Sequence, residues 1–335
     1  MPLTPLVHAE VADALAAGAP VVALESTIFS TLGLPQPANR EALARCVATV
    51  RAGGAVPAIT AVLDGIPRVG VDVEEHDRIC GPATKAAERD LGVAVAGAWP
   101  YGATTVSASL ALADAAGIRV FSTGGIGGVH RGAEATGDVS ADLDAIAHHP
   151  LVAVCAGAKA FLDLPKTLEH LETAGVPVLG WCHDWFPAFY TRSSGLPVPH
   201  RVDSAGAVAA VLANRARPET GVLLAVPIPV EDALDAAALD HVLVAALADA
   251  EASSISGAAV TPFVLGRIGE ATAGSSVPAN LALAENNCRV AAEDAPNRIG
   301  HVVDVEAGES WSTAATRCRT TTSSSPPARS APTMA

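Results

Sequence analysis

The chain has 335 residues, half of them hydrophobic, and a formal net charge of −14. This length can bury a sizeable core, as one large α/β domain or two small ones. The acidic balance argues against a nucleic-acid polymer as the main partner, because such binding relies on many lysine and arginine contacts. The net charge does not exclude a small phosphorylated ligand that is held in a local pocket.

Neither a membrane nor an oxidising compartment is indicated. The sequence contains no apolar run long enough to span a membrane, and Met1-Pro-Leu-Thr-Pro lacks the basic and apolar segments of a secretory signal. The six cysteines form no metal-like pairs, and several lie in apolar segments. We therefore expect reduced thiols and a cytoplasmic protein.

Short apolar runs alternate with helical patterns along most of the chain. The predicted strands are residues 21–24, 57–63, 69–71, 93–98, 119–122, 151–156, 176–179 and 221–226. The predicted helices are residues 39–51, 103–116, 140–147, 164–174 and 205–216. Two further regions are predicted to be helical, one over 73–91 that Gly81-Pro82 interrupts and one from 230 to 294. Asp64-Gly65 is typical of a hairpin turn. The pattern predicts a three-layer α/β/α sandwich with a mostly parallel, mixed sheet and a helical C-terminal part.

The composition changes near Pro296. Beyond it the sequence is dominated by Ser, Thr, Pro, Arg and Ala, which cannot bury enough apolar surface to fold. We expect one domain over residues 1–295 and a disordered, low-complexity tail over residues 296–335.

Lysine is rare in this sequence, with three lysines against eighteen arginines. Lys159 ends the apolar run 151–158, where a strand is expected to meet a loop. A desolvated amine can lose its proton and form a Schiff base with a carbonyl, whereas arginine stays charged. Lys159 is therefore a candidate nucleophile, although a solvated lysine at a strand end is the commoner case.

A glycine cluster over residues 122–134 follows a predicted strand, where α/β sheets place ligand-binding loops. Glycines there let backbone N–H groups approach an anion, and His130 and Arg131 add charge. The spacing matches neither a dinucleotide fingerprint nor a P-loop. A glycine-rich crossover loop without a ligand is the alternative.

Several carboxylates are candidates for chemistry. Asp138 and Asp142 flank Ser140, a candidate helix cap, and could serve a hard divalent cation or simply complement a helix dipole. Glu25 ends the first strand, where burial can raise its pKa and make it a general acid or base. A solvated strand-end glutamate is the commoner alternative.

Other polar residues carry weaker signals. The hydroxyls of Gly102-Ala-Thr-Thr105 suit a phosphate, a sugar or simple helix capping. Lys85 lies in a predicted helical stretch. It could contact a ligand, or it could belong to a solvated helix face. The amides of Asn286 and Asn287 interrupt a helical pattern, which favours a polar role for them.

Taken together, six segments resemble the pseudouridine-5′-phosphate glycosidase family, also called indigoidine-synthase-A-like proteins. They occur in the family's order and spacing between about Val21 and Asp294, and they are Ala23-Leu-Glu-Ser-Thr27, Gly102-Ala-Thr-Thr105, 122–134, Val139-Ser-Ala-Asp-Leu143, Cys155-Ala-Gly-Ala-Lys159 and Phe186-Pro-Ala-Phe-Tyr190. The resemblance implies a cytoplasmic lyase of nucleotide catabolism that cleaves pseudouridine 5′-phosphate reversibly to uracil and ribose 5-phosphate. It also implies an α/β/α sandwich, a divalent metal, usually Mn²⁺, a homotrimer and a functional link to a pseudouridine kinase.

The resemblance also implies roles for individual residues. Lys159 matches the covalent nucleophile, Glu25 the proton donor and Asp138 the metal ligand. Substrate contacts are implied for Lys85 at the phosphate, Val106, Ser140, Ala141 and Asp142, and, near the ribose or base, Thr123, His130 and one of Asn286 and Asn287. Lys166 has no assigned role.

The implied chemistry fits these residue types. An ordinary glycosidase uses two carboxylates around a bond to oxygen or nitrogen, whereas a C-glycoside has a carbon leaving group. Opening the ribose would expose an aldehyde-equivalent C1′, which a neutral Lys159 could capture as an iminium while Glu25 protonates C5 of uracil. Two alternatives remain: a class I aldolase-like phosphosugar lyase, and a non-catalytic phosphosugar-binding protein. The family usually ends near Asp294, so the tail has no counterpart in it.

Overall fold

The computed structural model describes residues 3–253, 255, 260–272 and 274–294. Within them, eleven strands form one sheet in the order β1-β4-β3-β2-β7-β8-β11-β9-β10, and β6 pairs with β3 and β5 away from this path. The strands are β1 (Leu6–Val7), β2 (Val21–Leu24), β3 (Val56–Leu63), β4 (Ile66–Val69), β5 (Thr84–Ala86), β6 (Tyr101–Thr104), β7 (Val120–Ser122), β8 (Val152–Cys155), β9 (Val178–Trp181), β10 (His200–Val202) and β11 (Val222–Ala225).

Most strand pairs in the sheet are parallel. The central strands β2, β7, β8, β11 and β9 are joined by parallel ladders and are buried along their whole length. Burial on both faces explains why they read as continuous apolar runs. The antiparallel pairs are β3 with β4 and β3 with β6. Asp64 and Gly65 both have positive φ angles, 53° and 73°, as a tight hairpin turn requires. The predicted mixed, mostly parallel sheet is confirmed.

Helices cover both sides of the sheet. The described α-helices are α1 (Ala9–Ala16), α2 (Ala38–Ala52), α3 (His76–Ile79), α4 (Leu91–Ala96), α5 (Val106–Ala115), α6 (Ala133–Thr136), α7 (Ala141–His148), α8 (Leu164–Ala174), α9 (Ala205–Asn214), α10 (Ala236–Ala252), α11 (Val260–Ala271) and α12 (Ser276–Arg289). Helices α5 and α7 pack together and against the sheet. Helix α12 packs on α2 and also contacts β7 and β8, the strands next to the candidate site.

The predicted helical region 73–91 is wrong in its second half, and the predicted strand 93–98 is wrong. The first stretch is helical up to α3 and is interrupted at Gly81-Pro82, as expected. After the interruption, Thr84–Ala86 forms strand β5 because it pairs with β6. The second stretch is helix α4, which buries Leu91 and Ala94 and leaves Val93 57% exposed. That spacing of buried residues belongs to a helix, and the valines were misleading because β propensity is a weak signal in short segments.

Two further predictions concern cysteines and membranes. Cys46, Cys80, Cys155 and Cys288 are free, buried thiols, which agrees with the expectation of reduced thiols for these four residues. Among the described residues, no helix is both long and apolar enough to cross a membrane. The predicted disordered tail, 296–335, lies outside the described residues.

Candidate active site

Three candidate residues lie just beyond neighbouring strands. Glu25 follows β2 and Thr123 follows β7, while Lys159 comes four residues after the end of β8. These strands are adjacent and parallel in the sheet. Since the carboxyl ends of parallel strands meet at one edge, the fold brings the three residues together where α/β sheets bind ligands.

Glu25 is buried, with only 9% of its surface exposed, and its carboxylate accepts a hydrogen bond from the Thr123 hydroxyl. Burial raises the pKa of Glu25 to about 7, and the negative charge of Asp142 acts in the same direction. The Thr123 hydrogen bond and the positive charges of Lys159 and Lys85 oppose that rise. A glutamic acid with this pKa holds its proton close to neutral pH and can donate it there.

Lys159 is half-buried, and a tight turn sets its position. Gly157, two residues before Lys159, has a φ of 77°, and a Cβ on it would lie 2.1 Å from the carbonyl oxygen of Pro187. Only glycine fits this backbone conformation. The Lys159 backbone N–H donates to the Ile126 carbonyl, 3.2 Å away, which ties the lysine to the glycine-rich loop.

Lys85 lies on strand β5, which pairs with β6, rather than on the predicted helix. Desolvation and the nearby Lys159 lower the pKa of Lys85, while the charges of Asp142 and Glu25 oppose the change. Two amines and two carboxyl groups therefore share one electrostatic environment. Shifted pKa values such as those of Glu25 and Lys85 are typical of functional sites.

The glycine-rich loop after β7 is held by side chains that occupy the space where Cβ atoms would otherwise lie. A Cβ on Gly125 would lie 2.5 Å from the Phe189 ring, and one on Gly127 would lie 2.2 Å from the Ser140 hydroxyl. These two glycines are therefore required by packing. The proposed role of the loop in binding an anion stays a prediction.

The Asp142 carboxylate binds two backbone N–H groups from different elements. One oxygen accepts from Gly127 at 2.8 Å, and the other accepts from Ser107, at the start of α5, at 3.1 Å. Asp142 thus fastens the glycine-rich loop to α5. Ser140 caps α7 by accepting from the Asp142 N–H, while Val106, the first residue of α5, is buried. Substrate contacts by Val106 and by Ser140, Ala141 and Asp142 remain predictions.

The two adjacent asparagines of α12 have different surroundings. Asn287 is fully buried, and its amide donates to the carbonyls of Thr123, at 2.8 Å, and Gly124, at 3.1 Å. Its amide oxygen has no hydrogen-bond partner in the described part of the chain. Asn286 instead donates to the Pro227 carbonyl at 3.3 Å. The structure therefore places Asn287, and not Asn286, against the glycine-rich loop.

Sequence reasoning missed Asn280, which is two helical turns before Asn287. It is buried on the same side of α12, and its amide oxygen lies near Gly124, 3.6 Å from where a Cβ would be. That oxygen is also unpartnered within the described residues. The spacing of seven residues between two asparagines on a helix is the signal that could have found it.

Asp138 and His130 are neighbours, with the imidazole Nδ1 3.8 Å from a carboxylate oxygen. The described residues contain no group of three or more histidine, cysteine, aspartate or glutamate side chains that could hold a metal ion. Both oxygens of Asp142 already accept backbone N–H groups. Within the described part of the chain, Asp138 and His130 form a pair that could offer a cation one carboxylate and one imidazole. This donor set fits a hard divalent ion that keeps several waters or binds phosphate oxygens.

Lys166 lies apart from this cluster. Its ammonium pairs with Glu134 at 2.8 Å and Asp163 at 3.1 Å on the surface. These exposed ion pairs account for Lys166, and they make it a useful control for Lys159.

Comparison with known proteins identifies relatives over most of the chain. A family model described as indigoidine synthase A like protein matches residues 10–297. The pseudouridine-5′-phosphate glycosidase of Methylobacterium nodulans is 51% identical over 288 residues, covering 85% of each chain. That of Roseiflexus sp. is 51% identical over 292 residues, covering 86% of this chain and 93% of the relative.

Solved structures give the same result. The prealnumycin C-glycosynthase AlnA, in complex with ribulose 5-phosphate, superposes with a TM-score of 0.79 at 37% identity, covering 87% of this chain and 95% of its own. An indigoidine synthase A-like protein from Thermotoga maritima superposes with a TM-score of 0.77 at 32% identity, with the same coverage. The chain belongs to the indigoidine synthase A-like protein family.

Proposed function

We propose that the protein is an enzyme that cleaves the C–C glycosidic bond of pseudouridine 5′-phosphate reversibly, giving uracil and ribose 5-phosphate. The observation that carries the proposal is the buried Glu25, with a pKa of about 7, at the same sheet edge as Lys159. Relatives at about half identity are named for this activity, and a structural neighbour is a C-glycosynthase with a bound pentulose phosphate.

The first step is attack by the Lys159 amine on C1′ of the ribose. A bond forms between Nζ and C1′ as the bond between C1′ and the ring oxygen breaks, and the oxygen becomes the C4′ hydroxyl by gaining the proton that the amine loses. The ribose is then an open chain joined to the lysine and still bonded to uracil. An amine nucleophile suits this step because it can form an iminium in the next one.

Glu25 then donates its proton to C5 of uracil. The C1′–C5 bond breaks, its electrons restore the double bond of the uracil ring, and the lysine nitrogen lone pair forms the C1′=N iminium. Water hydrolyses this Schiff base, which releases ribose 5-phosphate and the free lysine. The burial that raises the pKa of Glu25 keeps it protonated for this transfer.

Lys85 is the proposed phosphate contact. The proposed Mn²⁺ would be held by Asp138, with His130 beside it, and would supply positive charge to the substrate phosphate. Support comes from the donor chemistry of this pair, with its Nδ1 and carboxylate oxygen 3.8 Å apart. Thr123 and Asn287 are the proposed contacts near the base and ribose.

The direct test is uracil release from pseudouridine 5′-phosphate, followed by absorbance with and without a chelator. Lys159→Ala is expected to abolish release, and borohydride with ribose 5-phosphate is expected to trap an adduct on Lys159 only. Lys166→Ala is the matched control, since that lysine forms surface ion pairs. Near wild-type turnover by Lys159→Ala would refute the covalent mechanism.

The same assay separates the alternatives. Cleavage of sugar phosphates without uracil release would indicate an aldolase-like lyase. Binding of the substrate without turnover in the presence of Mn²⁺ would indicate a phosphosugar-binding protein.

We further propose a cytoplasmic homotrimer that acts on the product of a pseudouridine kinase. The family resemblance of the sequence motifs supports this arrangement. Light scattering after size-exclusion chromatography tests it, with a mass of about three chains expected.

A further inference from the structure

Four hydroxyl side chains form a buried cluster beneath Glu25. Ser26, Thr60, Thr104 and Ser109 are each fully buried. The Thr60 hydroxyl lies 2.8 Å from that of Thr104 and 2.8 Å from that of Ser109. Burying hydroxyls is unfavourable unless they are hydrogen-bonded. The hydrogen bonds among these four side chains satisfy that requirement and fix the geometry of the backbone around them. We call these residues the hydroxyl cluster.

Thr104 holds the chain on the C-terminal side of Glu25. Its N–H donates to the Ser26 hydroxyl at 2.9 Å, and its carbonyl accepts from the Thr27 hydroxyl at 2.7 Å. The Thr27 N–H donates to the same carbonyl at 3.2 Å. The two residues that follow Glu25 are therefore both fixed to Thr104.

The N-terminal side of Glu25 is held through Thr60. The Thr104 hydroxyl donates to the Thr60 carbonyl at 2.7 Å, and the Thr60 hydroxyl lies 3.1 Å from the Leu24 carbonyl oxygen. Both neighbours of Glu25 in the chain are thus anchored to one cluster. The Thr104 side chain connects the two halves, because it contacts Ser26 and Thr60 together.

We infer that Thr104 is a positioning residue for the reaction, which fixes the backbone of Glu25 so that its acid group stays buried beside Thr123. The inference rests on the proposed function. The ionised form of a buried carboxyl group favours contact with water, so a free backbone at residue 25 would let the group turn outward. Anchoring both neighbours prevents this movement. The Gly102-Ala-Thr-Thr105 motif thereby contributes to catalysis without a substrate contact from Thr104.

Thr104→Val removes the hydroxyl at nearly constant volume and tests the inference. Since a displacement of about 1 Å can cost about 100-fold in rate, kcat for uracil release is expected to fall about 10- to 100-fold. KM is expected to stay within about threefold, because the strand pairing that holds Lys85, the proposed phosphate contact, beside β6 does not depend on the Thr104 side chain. The alkaline limb of the kcat–pH profile is expected to move to lower pH as Glu25 gains water. Thr104→Ser is expected to restore kcat to within about threefold.

Ser109→Ala is the matched control, because Ser109 belongs to the hydroxyl cluster but contacts Thr60 rather than Thr104 or residues 25–27. It is expected to lose similar stability while kcat stays within about twofold. If Thr104→Val does not fold, Ser26→Ala is the second variant, because it removes the hydroxyl through which residue 26 contacts Thr104. A roughly tenfold loss of kcat is expected for it.

The outcomes separate this inference from the proposed function. Wild-type protein that releases no uracil refutes the function. Thr104→Val with wild-type kcat and pH profile refutes the positioning role alone, as does an equal loss in Ser109→Ala. A Thr104→Val protein that still traps ribose 5-phosphate on Lys159 with borohydride, but has lost uracil release, supports the inference.

Discussion

Glu25→Gln is expected to stabilise the fold while it removes catalysis. Glutamine keeps the shape of the side chain and can still accept the hydrogen bond of Thr123. It lacks the proton that a general acid donates, so turnover is expected to fall at least about 100-fold. It also lacks the buried negative charge that the wild-type protein must carry above neutral pH.

The expected size of the stabilisation follows from the pKa of Glu25. Burial raises that pKa from its ordinary 4.5 to about 7 in the folded protein. The unfolded chain therefore releases its proton at lower pH than the folded one, and wild-type stability falls as pH rises between these values. At about 1.4 kcal/mol for each tenfold ratio of proton affinity, the loss between pH 5 and pH 8 is about 2.5 kcal/mol.

Urea unfolding of both proteins at pH 5 and pH 8 tests this value. The free energy of unfolding of Glu25→Gln minus that of wild type is expected to be larger at pH 8 by about 2.5 kcal/mol. Glu169→Gln, on the exposed surface of α8, controls for general charge effects. A change below about 0.5 kcal/mol would refute the argument that the folded protein destabilises ionised Glu25.

Three further predictions address the same site. Thr123→Val removes a hydrogen bond that lowers the pKa of Glu25, so the alkaline limb of the pH–rate profile is expected to move up by about one pH unit, and an unchanged limb would contradict this. Lys85→Met is expected to raise KM for pseudouridine 5′-phosphate about 10- to 100-fold with a smaller effect on kcat, as measured by steady-state kinetics; a fall in kcat alone would argue against a phosphate contact. Gly127→Ala would place a Cβ 2.2 Å from the Ser140 hydroxyl, whereas the Cβ of Gly124→Ala would lie 3.4 Å from its nearest neighbour. Urea unfolding is therefore expected to show a fall of about 1–3 kcal/mol in the free energy of unfolding for Gly127→Ala and a much smaller fall for Gly124→Ala.

The sequence predicted elements well where local pattern and tertiary burial agree. Central strands such as β2 and β8 are apolar over their whole length, and the Asp64-Gly65 turn has its own local preference. The largest failures fall between residues 73 and 98, where the segments are short. There, strand β5 exists because β6 offers it a partner, and no local pattern records a partner that arrives from elsewhere in the chain.

Rarity of lysine, position after a strand and family resemblance were enough to single out Lys159, Glu25 and the glycine-rich loop from the sequence by itself. Only the tertiary structure decided how they are held. The contacts between Asp142 and Ser107, Asn287 and Thr123, and Thr104 and Ser26 join residues 35 to 164 positions apart. Hydrogen bonds of this kind depend on where separate elements meet, and burial of a carboxyl group depends on everything packed around it. The sequence therefore supplies the glutamate at position 25, whereas its raised pKa depends on the tertiary structure that buries it.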